Sequence, residues 1–481
     1  MAEKKRDGMM METMFFEIES RWIYSNQDLR LNASSYHPES ANALLLLDKL
    51  QRKGVSIETI GNIVKEIFYP PRFKRLYAKE GVSFLSSKDI FDFLPVGKKI
   101  KNASPEYFIK PGWILVTRSG SVGRVLIANK LLSKAAISEH VIRIVPTPQT
   151  PIQYLYTYLN SRIGQPLLIK DIFGGVVDEI EPNHIANIPI PRIPDLEEEI
   201  NQKVLEAHKL REEAQELLLK AEEMIYSELG LPKIDEDDVE YFGGEIGRLV
   251  KAFEVKASEL DYRLDASYHV PIAHLVVSNL QKVKLDHIKK LKEVADSFVP
   301  PRFKRPYVRD SNDGIPLLQG THIPQIKPLD IKYIWKRMKN IEAYIVRKNW
   351  ILVTCSGTIG RLALVSDYWD GWTATNHLLR IIPEEKEINP GYLARFLLSI
   401  YGQVQFQRLI YGGVVDEIGE AGELFKDILI LKPKDGSIED KIGSLVIEAY
   451  NKKDRANQIE EEAIKQLEAS LMGIAKVVGK I

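Results

Sequence analysis

Cysteine is almost missing from this chain: Cys355 stands alone among 481 residues. One thiol supplies neither a disulfide framework nor a cysteine-based zinc site within the chain, so apolar cores must hold the fold. No run approaches the roughly 20 apolar residues that a membrane-spanning helix needs. Met1 to Met14 is charged and then methionine-rich, without the apolar core of a signal peptide, and a reducing cytoplasm is the expected location. Two catalytic signatures are also missing. There is no Gly-x-x-x-x-Gly-Lys-Ser/Thr phosphate loop. There is no Asn-Pro-Pro-Tyr-like segment of an amino-methyltransferase, since Tyr69-Pro70-Pro71-Arg72 lacks the Asn or Asp that would hold a target amine.

Net charge is missing too, with 66 basic against 66 acidic residues, which at first argues against a nucleic-acid partner. The distribution reverses that reading. Residues 60–135 hold 14 Lys/Arg against 5 Asp/Glu, and residues 289–361 hold 15 against 6, each a balance of +9. Residues 195–240 hold 5 against 16, a balance of −11. Two basic regions thus flank an acidic one. A solvated face explains a single charge run, but the pattern is doubled, and a phosphate backbone needs only a local basic surface.

What the chain does have is a duplication. RLNAS at Arg30–Ser34 returns as RLDAS at Arg263–Ser267, followed by Tyr36-His37 and Tyr268-His269. FYPPRFKR at Phe68–Arg75 returns as FVPPRFKR at Phe298–Arg305, and WILVTRSGSVGR at Trp113–Arg124 as WILVTCSGTIGR at Trp350–Arg361. EHVIRIVP at Glu139–Pro146 returns as NHLLRIIP at Asn376–Pro383, and GGVVDEI at Gly174–Ile180 as itself at Gly412–Ile418. Repeats of this length are two globular units and not a solenoid.

Each copy runs into a long amphipathic segment. Apolar residues fall at Ile200, Val204, Ala207, Ala214, Leu218, Ala221 and Ile225, and again at Ile442, Val446, Ala449, Ala456, Ala463 and Leu467. These steps of three and four describe a coiled-coil seam, broken at equivalent points by Arg211 and Lys453. Pro189, Pro191, Pro194 and Pro433 mark where the helices begin. The matched lengths make the two helices each other's expected partners, antiparallel if the units sit at opposite ends. Within the units, Trp113–Thr117 and Val141–Val145 read as strands, and Ile152–Ile163 and Pro390–Tyr401 as helices.

Candidate DNA contacts follow from residue type. PPRFKR presents Arg72, Lys74, Arg75 and Tyr77, or Arg302, Lys304, Arg305 and Tyr307, on a backbone stiffened by proline. The glycine turns after WILVT offer Arg118, Ser119, Ser121 and Arg124, or Ser356, Thr358 and Arg361, with backbone amides for a phosphate. A plain hairpin turn accounts for them equally well, and Cys355 replaces Arg118 in the second copy. Asp178-Glu179 and Asp416-Glu417 raise acid–base or metal chemistry, but neighbours on a strand face opposite ways, which favours a structural turn. His140 and His377 beside strand-like runs read as structural. The copies differ most over Leu76–Gly112 and Pro306–Asn349, the second span being seven residues longer. Candidate base readers there are Ser86, Ser87, Lys88 and Asp89, and Gln319, Thr321 and His322.

Taken together, the WILVT-x-Ser-Gly-x-x-Gly-Arg segments, the EHVIRIVP-like strands and GGVVDEI running through Ile188–Pro191 into the helix at Ile200 resemble the specificity (S) subunit of type I restriction-modification enzymes, over about residues 15–475. The fold expected is α+β: two similar mixed α/β target-recognition domains and two long helices in an antiparallel coiled coil, with pseudo-two-fold symmetry. The expected divisions are a first recognition domain (15–192), a spacer helix (193–232), a linker (233–255), a second recognition domain (256–434) and a second spacer helix (435–476). The resemblance implies a non-catalytic subunit that reads a bipartite, asymmetric site in double-stranded DNA. Its implied partners are two methyltransferase (M) subunits and restriction/motor (R) subunits, with no membrane partner. S-adenosylmethionine, ATP and Mg would belong to those partners, with no cofactor or metal in this chain. The rival classes are a freestanding metal-dependent nuclease or hydrolase using the Asp-Glu pairs, and a coiled-coil scaffold without a DNA role.

Overall fold

The computed structural model describes residues 37–170, 179–234, 253–260, 263–283, 287–411, 417–418 and 423–476. The first RLNAS copy and the stretches Gly174–Asp178 and Gly412–Asp416 lie outside the described residues.

The duplication in sequence is a duplication in structure. Each unit is built on a four-stranded antiparallel sheet with the same strand order: Val64–Phe68, Val141–Pro146, Ile114–Thr117, Val125–Ile127 in the first, and Ala295–Phe298, Leu378–Pro383, Ile351–Thr354, Leu362–Leu364 in the second. The registers coincide, with Ile114 opposite Ile144 where Ile351 is opposite Ile381. Strand Ile114–Thr117 is buried along its whole length because both its faces are covered. Alternation sends Ile114 and Val116 into one core and Leu115 into another. The first core contains Ile200 and Val204 of the following helix. The second is made with Leu85, Ile90 and Phe91 of the divergent span.

An arginine inside each sheet shows how closely the units match. Arg143 and Arg380 have no solvent exposure. Arg143 donates to the carbonyls of Ser138, Val141 and Ile137, and Arg380 to those of Thr375, Leu378 and Ala374. Burial without a carboxylate contact lowers both guanidinium pKa values to about 10. The divergent spans form a smaller sheet in each unit: Lys98–Ile100, Tyr77–Leu85 and Ala136–Ile137, or Tyr307–Val308, Lys332–Trp335, Gly314–Leu318 and Thr373–Ala374. In the first unit one strand with a register shift between Tyr77 and Val82 does the work of two strands in the second, where Arg309–Asp313 intervenes.

The two long helices, Pro194–Ser227 and Gly436–Lys476, are 34 and 41 residues long, about 50 and 60 Å at the α-helical rise. The first begins at a proline, with Glu197 accepting from the Ile193 amide at 3.1 Å, a carboxylate at the positive end of the helix. The helices pack antiparallel. Lys203 reaches Gln466 at 2.5 Å, Arg211 reaches Asn457 at 2.7 Å, and Glu213 accepts from Lys452 at 2.8 Å, so numbers rise on one as they fall on the other. All thirteen seam residues named above are buried. So are the two interruptions. Arg211 forms a two-pronged pair with Glu460, while Lys453 lies 4.6 Å from the Trp369 ring and 4.7 Å from the Tyr450 ring. Among the described residues, no helix is long and apolar enough to cross a membrane.

Candidate nucleic-acid interface

PPRFKR folds as an extended segment, and its alternation decides which cations face outward. Phe73 turns inward onto Tyr107 and Phe84, and Phe303 onto Tyr344. The residues on either side therefore point away: Arg72, Lys74, Arg302 and Lys304 are exposed. Arg75 and Arg305 share the inward side and are half-buried. Arg75 grips both oxygens of the buried Glu139 at 2.7 Å and lies over Phe84 at 4.6 Å. Burial opposes the charge on Glu139, but hydrogen bonds from its own backbone amide and from Arg75 prevail and hold its pKa below the usual range. In the second unit Asn376 stands where Glu139 does, and Arg305 makes a 3.4 Å hydrogen bond to it and, among the described residues, no ion pair.

The glycine turns are self-contained hairpins. Thr117 donates to the Ser121 carbonyl and accepts from the Arg124 amide at 2.9 Å, while Gly123 donates to the Thr117 carbonyl at 2.9 Å. Thr354, Thr358, Gly360 and Arg361 repeat these bonds. Gly123 and Gly360 have φ near +80°, and a Cβ on Gly123 would sit 2.6 Å from Ile169, so glycine is required there. The expectation that these turns present their amides to a phosphate is corrected at positions 123 and 124, whose amides are already bonded. The matching amides at 360 and 361 are bonded likewise.

Three expected phosphate contacts are committed to carboxylates. Arg75 is held by Glu139, Arg118 lies 2.8 Å from both Glu179 and Glu181 and over the Tyr69 ring at 4.3 Å, and Arg124 pairs with Asp330 of the other unit. Ser119 is buried, 2.6 Å from His140 Nδ1. Cys355, at the place of Arg118, is buried, and burial pushes its thiol up to about 11. Ser121 and Thr358 are exposed, and Ser356 and Arg361 are half-buried. In the second unit Arg302 is 83% exposed and 3.9 Å from Glu417, and His377 is held below its ordinary pKa by burial and by Arg305 and Arg302. Glu179 and Glu417 pair by backbone bridges with Ser119 and Ser356, and the Glu179 carboxylate is taken by Arg118. Asp178 and Asp416 lie outside the described residues. Among the described residues no group of three or more His, Cys, Asp and Glu is placed to hold a metal.

Of the candidate base readers, His322 is 4% exposed, accepts from the Gln319 amide at 3.2 Å, and has its pKa lowered to about 4 by burial. Ser86 and Asp89 close a turn on each other at 2.7 Å, and Ser87 is half-buried beside them. Lys88 and Thr321 are exposed, and Gln319 is half-buried. Residue-type reasoning named Tyr77 and Tyr307 but passed over the cations of the small sheet around them. There Tyr77 and Tyr307 are 43% and 47% exposed, with Lys98 at 5.7 Å and Lys332 at 5.3 Å from their rings. Lys99, Lys101, Lys336, Arg337 and Lys339 are exposed around them, and Trp335 is 43% exposed. The signal was present as the runs KKIK and WKRMK. These are runs of cations, the second opening on an aromatic, in each copy's most divergent span.

The sequence profile described as type I restriction modification DNA specificity domain matches the chain twice, over residues 55–210 and 287–418, more than half of its length. Comparison with curated proteins finds no match. Among solved structures, the chain is similar to the S subunit of a type I restriction-modification system from M. genitalium, at 13% identity and a TM-score of 0.32, over 89% of this chain and 97% of that one. It is similar to the HsdS subunit from Thermoanaerobacter tengcongensis at 13% identity and a TM-score of 0.26, over 88% of this chain and 96% of that one.

Proposed function

Since the chain belongs to the type I restriction-modification DNA specificity family and carries that domain twice, we propose that it reads a split, asymmetric site in double-stranded DNA, one part with each unit. The observation that carries this is the recurrence of one outward surface. Arg72, Lys74, Tyr77 and Lys98 in the first unit match Arg302, Lys304, Tyr307 and Lys332 in the second, and further cations, Lys99 and Lys101 or Lys336 and Arg337, stand beside them at non-equivalent places, all exposed. Cations at phosphate position the duplex, and side chains of the divergent spans discriminate bases. Asymmetry of the site follows from the difference between those spans.

The chain itself is non-catalytic in this reading. Methyl transfer and cleavage belong to partner subunits, two methyltransferase subunits seated on the two pseudo-equivalent faces and restriction/motor subunits beyond them. S-adenosylmethionine, ATP and Mg serve those partners. The test is methylation-sensitive sequencing of DNA from cells with and without the gene. A methylated split motif lost on deletion is expected, and an unchanged methylome would overturn the reading.

A further inference from the structure

The divergent spans also meet each other. Asp92 of the first and Gln325 of the second form an antiparallel bridge. Phe93 donates to the Pro324 carbonyl at 2.6 Å, and Ile326 to the Phe91 carbonyl at 2.9 Å. Counted from Leu85 and Leu318, which end matching strands, residues 91, 92 and 93 correspond to 324, 325 and 326. The two hydrogen bonds are therefore images of one another, and the pseudo-two-fold axis passes between Asp92 and Gln325. Matching helix residues support the bridge from beneath. Gln215 donates to the Phe93 carbonyl at 2.8 Å, and Asn457 to the Ile326 carbonyl at 3.0 Å.

Side chains cross over at the same place. Phe93 is buried in the second unit's core, edge-on to Tyr450 at 5.7 Å. Leu329 packs into the first unit's cluster around Ile90 and Phe91, and its neighbour Asp330 takes Arg124. A helix pair alone sets the separation of its ends but resists relative rotation of the attached units weakly. A central bridge with satisfied backbone bonds and two crossed apolar anchors resists that rotation.

We propose that this clasp fixes the angle between the two DNA-reading surfaces that the helix pair holds apart, and thereby how strictly the number of base pairs between the half-sites is enforced. Phe93, Asp92, Gln325, Leu329 and Asp330 act as positioning residues and touch no base. The inference rests on the DNA-reading function proposed above. Adding one base pair moves a half-site about 3.4 Å along the axis and turns it by roughly a tenth of a helical turn, a misfit that only a stiff connection rejects.

The test uses the full chain and duplexes carrying its methylated motif with the spacer at native length or altered by one base pair. Phe93→Ala with Leu329→Ala loosens the clasp. Asp92→Cys with Gln325→Cys locks it, since this pair lies between the two hydrogen bonds, where Cα atoms sit about 4.5 Å apart and a disulfide fits. Loosening is expected to cut discrimination between native and altered spacers at least tenfold with half-site preferences unchanged. The cysteine pair is expected to crosslink on oxidation and keep spacer discrimination at or above that of the unsubstituted chain. A loosened variant as selective as the unsubstituted chain, or a cysteine pair that fails to crosslink in the folded chain, overturns the clasp. An unsubstituted chain without preference for any motif overturns the DNA-reading function instead. If the loosened variant does not fold, Asp330→Asn gives the milder form of the same comparison, with a smaller loss of discrimination expected and an unchanged one counting against the clasp.

Discussion

Glu460→Gln leaves Arg211 charged at the centre of the helix pair without the carboxylate that balances it. Glu460 is 1% exposed. Its carboxylate receives Arg211 at 2.6 Å and the Tyr156 hydroxyl at 3.0 Å, with the Lys327 ammonium at 3.8 Å. Burial pushes its pKa up, but Arg211 and then Lys327 outweigh that and bring it from 4.5 to about 2. That difference corresponds to about 3 kcal/mol, within the range of about 3–5 kcal/mol for breaking a buried pair. A carboxylate with a depressed folded-state pKa stabilises fully above its unfolded value, and the contribution is lost as pH falls through the folded one. The loss in Glu460→Gln is therefore expected in full at pH 7 and should shrink between about pH 4.5 and pH 2. Arg211→Met combined with Glu460→Leu is expected to regain most of it, because apolar residues of similar volume replace such pairs at little cost. Thermal denaturation followed by circular dichroism at several pH values measures both. A loss under about 1 kcal/mol at pH 7, or a double variant as weak as the single, refutes the argument. Lys453, the counterpart of Arg211, offers a contrast. Burial lowers its pKa, its nearest carboxylate is Asp454 at 3.7 Å, and Lys453→Met is expected to cost less than half as much as Glu460→Gln.

Arg72→Gln with Lys74→Gln removes two outward cations, and the slope of log affinity for DNA against log salt should flatten by about 2, with the motif unchanged. An unchanged slope would take these residues out of the interface. His322→Ala should lower the melting temperature without altering the second half-site, whereas Trp335→Ala should weaken DNA binding without altering stability. A changed half-site in His322→Ala, by motif sequencing, would return that residue to base reading. Asp92 is raised to about 6, chiefly by burial against the opposing pull of Arg361. An acid with a raised folded-state pKa costs stability as pH climbs from its unfolded to its folded value. The melting advantage of Asp92→Asn should therefore grow between about pH 4 and pH 6 and stay level above, and a pH-independent difference would contradict the assignment.

The duplication, the mixed fold and the helix pair were legible from residue order alone. Each depends on local spacing: apolar steps of three and four put Ile200, Val204 and Ala207 on one helix face, whatever they later touch. The basic character of PPRFKR was legible in the same way, as cations on a proline-stiffened backbone, but not which of them face outward. Which other cations remain available was not legible. Arg75 is met by a carboxylate 64 residues away, Arg118 by two more than 60 away, and Arg124 by one 206 residues away in the other unit. His322 looked like a polar reader until the fold closed over it. The clasp between Asp92 and Gln325 was hidden for the same reason. A backbone bridge carries no side-chain signature, so only the packing of two units across one axis brings those strands together.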